Sequence, residues 1–174
     1  MEFIMRRFAF FAPLAAAAAV ASLAHAEPNN TQPAEVQVTV EIGGDLIKDA
    51  PKLGDRDVNW QRDELAQAVS RALTRAGAYP GARVNLVLTD LKPNRPTMQQ
   101  TVDRPGLSMM DSISIGGATI EGEIVTADGQ RLPVHYSRYS TSIADVHGFS
   151  TWEEADRAYD DFAGNLVRGR LVER

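Results

Sequence analysis

Two histidines, His135 and His147, are the side chains in the body of this chain suited to moving a proton near neutral pH. Set with Asp145, or with Glu121 or Glu123 across a hairpin, they would build a hydrolytic site around a zinc ion or a water. Their spacing is not that of an H-E-x-x-H helix, because His135 falls on a predicted strand and His147 in a predicted loop. Serines at 108, 112, 114, 137, 140, 142 and 150 offer hydroxyls, but none stands in a G-x-S-x-G elbow. Cysteine is absent, which excludes disulfides, thiol catalysis and thiolate metal sites. The enzymatic alternative is thus a metal-assisted hydrolase using His135, Asp145 and His147, and no cofactor is implied. Binding is the favoured reading. Pro93-Asn94-Arg95-Pro96-Thr97 is a semi-rigid segment that would present Arg95 to a partner, or else a proline-punctuated surface connection. With Arg138 and Tyr139 at the end of a strand, Arg95 completes the set of candidate partner contacts.

The first 26 residues read as an address. Arg6 and Arg7 precede an apolar run over residues 8–23, and Ala24-His25-Ala26 matches an A-x-A cleavage site. The run is short for a bilayer span, which needs about 20 apolar residues. Cleavage after Ala26 removes His25 and leaves no cysteine to acylate, so export to the periplasm without a lipid anchor is expected. Of 18 basic and 23 acidic side chains the leader takes Arg6, Arg7 and Glu2, so the remainder is acidic. An acidic chain without a basic run argues against nucleic acid or anionic lipid as partner. Residues 27–34 are polar and broken by Pro28 and Pro33, a flexible leader ahead of one domain at 35–174.

That domain must be organised by residues 59–91. Leu65, Ala68, Val69, Ala72, Leu73 and Ala76 share one helical face, with Asn59 as the expected cap and Gly77 as the stop. Val84, Leu86 and Leu88 then alternate as a strand. Val36, Val38, Val40 and Ile42 form an earlier strand, closed by Gly43-Gly44. Residues 45–58, charged and broken by Pro51 and Gly54, read as a solvated loop. Asp49, Asp55 and Asp57 lack the spacing of a calcium loop. Residues 92–109 form a second long loop. Ile113, Ile115, Ala118, Ile120, Gly122 and Ile124 make a third strand, with a bulge expected at Gly116-Gly117. Asp128-Gly129 turns into a fourth, 131–139, which Pro133 places near an edge. Ser150-Thr151-Trp152-Glu153 has the form of a capping box. The helix after it stripes Trp152, Ala155, Tyr159, Phe162, Ala163 and Leu166 toward the core.

The order β-α-β-β-β-α predicts an α/β (α+β) two-layer sandwich, a mixed four-stranded sheet with two helices on one face. With that order, Arg75-Ala76-Gly77-Ala78, the strand Ala82-Arg83-Val84-Asn85-Leu86-Val87-Leu88 and the closing stretch from Ala155-Asp156-Arg157 to Asp161-Phe162-Ala163, the chain resembles small Gram-negative envelope proteins. These include domain-of-unknown-function lipoproteins whose fold is similar to the amino-terminal domain of TolB. Unlike them, this chain has no cysteine to acylate. The resemblance implies a periplasmic, non-catalytic accessory domain. An envelope protein is the expected partner, and the open face of a one-sided sheet leaves room for a homodimer.

Overall fold

The computed structural model describes residues 35–146 and 150–172; the leader, the cleavage site and His147 lie outside them. Strand β1 (Gln37–Ile42) leads into helices α1 (Leu46–Leu53) and α2 (Asp55–Ala76), then strand β2 (Arg83–Lys92). A short helix α3 (Met98–Asp103) interrupts the connection to β3 (Gly117–Val125). A hairpin gives β4 (Arg131–Tyr139), a 3-10 turn at Ile143–Asp145 follows, and α4 (Glu153–Val167) closes the fold.

The sheet order is β1-β2-β3-β4, with β1 parallel to β2 and the other pairs antiparallel, so the expected mixed four-stranded sheet is present. Alternation along the strands explains its two faces. Val40, Val84, Leu86, Leu88, Ile120, Ile124, Val134 and Tyr136 are buried beneath the helices. Gln37, Thr39, Glu41, Arg83, Asn85 and Glu121 stand exposed on the other side. Leu65, Val69 and Leu73 of α2 meet Tyr159, Phe162 and Leu166 of α4 in one core, where the Tyr136 and Phe162 rings lie 5.6 Å apart. Each such side chain contributes roughly 1.5–3 kcal/mol through burial. At the far end of the helix layer, Tyr79 Oη donates to the Leu166 carbonyl at 3.3 Å.

Five local expectations are overturned, the first being the loop at 92–109, which α3 interrupts, so that the described residues hold four α-helices where two were expected. Residues 45–58 are not a loop: Leu46, Ala50 and Leu53 recur at helical spacing and are buried, while Pro51 falls on the exposed side of α1. Asn59 is not a cap, because α2 begins at Asp55 and the Asn59 side chain donates to the Asp55 carbonyl within the helix at 2.7 Å. Ile113 and Ile115 precede β3, and the irregular register sits on β2, where Thr89 is the extra residue between Leu88↔Ile120 and Asp90↔Thr119. That bulge turns Leu91 into the core and Asp90 onto the open face. The expected capping box before α4 is also replaced. Ser150 reaches the Glu153 side chain at 3.4 Å, and the cap comes from elsewhere in the chain, as described below.

Other expectations hold. Gly77 ends α2 with a left-handed φ of 61°, and its amide together with that of Ala78 closes the last turn on the Thr74 and Leu73 carbonyls. Asp128-Gly129 makes the hairpin turn, with Thr126 N bonded to Gln130 O at 2.9 Å. Pro133 lies in the edge strand β4, beside which Leu171 and Val172 run; the Leu171 carbonyl accepts the His135 amide at 2.9 Å, and Val172 forms a parallel bridge with His135.

Candidate functional site

The three candidate contact residues do not form one surface. Arg95 is 6% exposed, and its guanidinium donates to the Met110 carbonyl, so it braces its own loop and is not presented to a partner. Burial of the stem is enforced by Pro93, Asn94, Pro96 and Thr97, all buried around it. Arg138 projects on the helix side of β4, 3.2 Å from Asp161 and 3.9 Å from the buried Glu154. Tyr139, the next residue, projects to the open face. Its hydroxyl donates to Asp90 at 2.7 Å and meets Thr119 at 2.8 Å, and Lys92 sits 4.9 Å from the ring centroid. Burial, ahead of the Asp90 carboxylate, holds that hydroxyl above the usual tyrosine range.

Of the hydrolytic set, the described residues bring together the cross-hairpin pair of His135 and Glu121 and gather no metal-ligand group around it. His135 stands directly opposite Glu121 in the β3–β4 register, with Nδ1 3.6 Å from Oε1. Asp145 is exposed in the 3-10 turn and accepts from Thr141 at 2.7 Å. His147 lies outside the described residues. Among the described residues no three histidine, aspartate or glutamate side chains gather as metal ligands would.

The connection between β2 and β3 is instead a heavily braced irregular segment. Asn94, fully buried, holds three pieces of chain together. Its backbone amide donates to Thr151 O at 3.0 Å and its carbonyl accepts Ser114 N at 2.9 Å. Its side chain donates to Ser150 O at 2.9 Å and accepts Glu154 N at 3.2 Å, which caps α4. Thr97 and Gln100 form a reciprocal capping box at the start of α3, each bond 3.1 Å.

This anchored segment turns apolar side chains outward. Of the twelve large hydrophobic residues that stand exposed among the described residues, seven lie in this connection; Met110 is 76% and Met98 63% exposed. Polar anchoring with apolar display is the reverse of an ordinary loop, and contiguous exposed apolar surface marks sites of association. At one end the segment meets the helix layer in a groove of about 350 Å3, lined by Trp60 and Gln61 of α2, Met98, Met109, and Trp152 ahead of α4. Trp60 is 60% exposed, and its indole donates to Glu64 Oε1 at 3.1 Å. Beside the groove, the Asp156 carboxyl is raised to about 6, first by partial burial and then by Glu64, Glu153 and Asp160.

Arg95 drew notice in the sequence for its charge, whereas the groove residues did not. A signal for them exists. Trp60 is a large aromatic off the stripe that Val58, Gln61, Leu65 and Val69 bury, and Thr97-x-x-Gln100 is a capping pattern. No protein-family model and no curated protein matches the sequence.

Proposed function

We propose that this chain is an exported, periplasmic, non-catalytic accessory module that holds an envelope protein against its β2–β3 connection. The observation that carries the reading is the pairing of a rigid polar anchor, Asn94, Arg95 and Thr97, with exposed Met98, Met110 and Ile113 on the same segment. A loop held this firmly has little ordering entropy left to lose on binding, which favours docking of a partner onto a preformed surface. Export rests on Arg6-Arg7, the apolar run that follows and Ala24-His25-Ala26. Among the described residues no helix is long and apolar enough to cross a membrane. No cofactor enters this function.

The test is site-specific photocrosslinking in living cells. A photoreactive residue replacing Met110 or Ile113 is expected to capture one defined envelope protein, while the same residue at Gln37 or Arg83, on the open sheet face, captures none. Equal capture from both faces, or none from Met110 and Ile113, would overturn the assignment of the surface.

A further inference from the structure

The two tryptophans beside the groove are each followed one helical turn later by a carboxylate, Glu64 after Trp60 and Asp156 after Trp152. Glu64 is tied to the Trp60 indole, and Asp156 donates its backbone amide to the Trp152 carbonyl at 2.9 Å. Neither carboxylate forms an ion pair among the described residues, nor do Asp57 and Asp160 nearby. Of the neighbouring cations, Arg62 is held by Asp63 at 2.7 Å, and Arg157 by Glu153 at 3.7 Å and Glu154 at 3.8 Å. Among the described residues Arg56, alone of these three, forms no ion pair, so negative charge stays in excess around an apolar groove.

A second feature points to a ligand. Gln61 lines the groove and is 4% exposed, yet its Oε1 accepts no hydrogen bond from the described residues. Leaving a buried acceptor unmet costs about 1–3 kcal/mol. The last torsion of a glutamine is soft, so the amide can turn its acceptor to an N–H that enters the groove.

We propose that the groove between Trp60 and Trp152 takes a basic amphipathic segment of the partner. An apolar side chain seats against Met98 and Met109, and a lysine or arginine beside it faces Glu64 and Asp156. This names the partner chemistry of the surface assigned above and rests on that assignment. The raised carboxyl of Asp156 fits the same account: partial burial raises it first, and a cation placed there relieves the repulsion that Glu64, Glu153 and Asp160 add. Tryptophan faces also attract cations, arginine above all. An acidic segment meets a field of its own sign and is repelled.

Both tryptophans of the chain line this groove, so intrinsic fluorescence reads it directly. Three short tryptophan-free peptides are titrated into the exported chain: leucine at helical spacing with arginine between, the same leucines with glutamate, and the same arginines with serine for leucine. The leucine-arginine peptide is expected to shift the emission saturably and the other two not to. The double variant Glu64→Gln, Asp156→Asn keeps an acceptor for the Trp60 indole and should weaken that peptide by roughly fivefold to tenfold. Equal binding of the glutamate peptide, equal binding of the serine peptide, or no shift with any of them overturns the proposal. Crosslinking from Met110, outside the groove, separates these failures: a defined adduct there with no peptide response leaves the interaction surface standing and removes only its basic ligand.

Discussion

Asn94 Oδ1 accepts the amide of Glu154 at 3.2 Å, so the last helix of the fold is capped by a side chain 60 residues earlier in the chain. The same side chain donates to Ser150 O at 2.9 Å. Helix α4 and the exposed apolar connection are thereby fixed to one another at a point where no water reaches. Asn94→Ala should remove the cap and leave a buried amide and a partly buried carbonyl unmet, a loss of about 2–4 kcal/mol. Chemical denaturation of the variant against the parent checks it. A change within a few tenths of a kcal/mol would mean that the segment relaxes and recovers its bonds locally.

Arg95 carries a related prediction with a different sign for function. Because its guanidinium is spent on the Met110 carbonyl inside the loop, Arg95→Ala is expected to lower stability by roughly 1.5–3 kcal/mol, the range for hydrogen bonds to charged groups. Partner capture should fall only through the displaced loop, so a photoreactive residue at Met98, on the separately capped α3, should still crosslink. A variant that melts like the parent yet loses the partner would return Arg95 to the role of a direct contact.

Much of this fold can be read from residue spacing because its signals are local. Alternating Val84, Leu86 and Leu88, the stripe from Leu65 to Leu73, and Gly77 at a left-handed φ each specify their own element. What escapes such a reading depends on distant partners or on competing cues. Pro51 and Gly54 mask the spacing of Leu46, Ala50 and Leu53 that makes α1. Ser150-Thr151-Trp152-Glu153 resembles a cap, but the amide in question is taken by Asn94, which no local pattern reveals. The bulge belongs to Thr89 and not to Gly116-Gly117, since Ile113 and Ile115 precede β3 and need no phase restored, whereas the extra residue on β2 brings Leu91 back into phase with Leu88. For the site, the charge of Arg95 is the local signal, whereas only the folded arrangement brings Trp60 and Trp152 to line one groove.

Gly122 tests the sheet. It sits in the middle of β3 at φ 151°, and a Cβ built there would stand inside van der Waals contact of the Asn85 carbonyl on β2. Neither backbone has room to yield, because Asn85 pairs with Glu123 and with Thr39 on its other side. Gly122→Ala should therefore cost about 2–4 kcal/mol, combining an unfavourable φ with the clash. Thermal melting read at the near-ultraviolet aromatic signal decides this, and a melting point unchanged from the parent would show that the strand pair can spread.

Asp156 gives the pH dependence. Two influences oppose each other there: the start of α4 favours an anion, while partial burial and the charges of Glu64, Glu153 and Asp160 disfavour it. The second wins, for the carboxyl is raised from 3.8 to about 6. The folded chain then binds this proton more tightly than the unfolded chain, so stability falls as pH rises from about 4 to about 6 and stays lowered above that. Asp156→Asn removes the ionisation and should stabilise the chain at pH 7.5 by about 1 kcal/mol, the modest figure reflecting solvent screening of a side chain that reaches the surface. Below pH 4 both forms are neutral and the advantage should vanish. Paired melting curves across this range distinguish the cause: a gain that persists unchanged at pH 3.5 would assign the effect to packing of the amide and not to relief of charge.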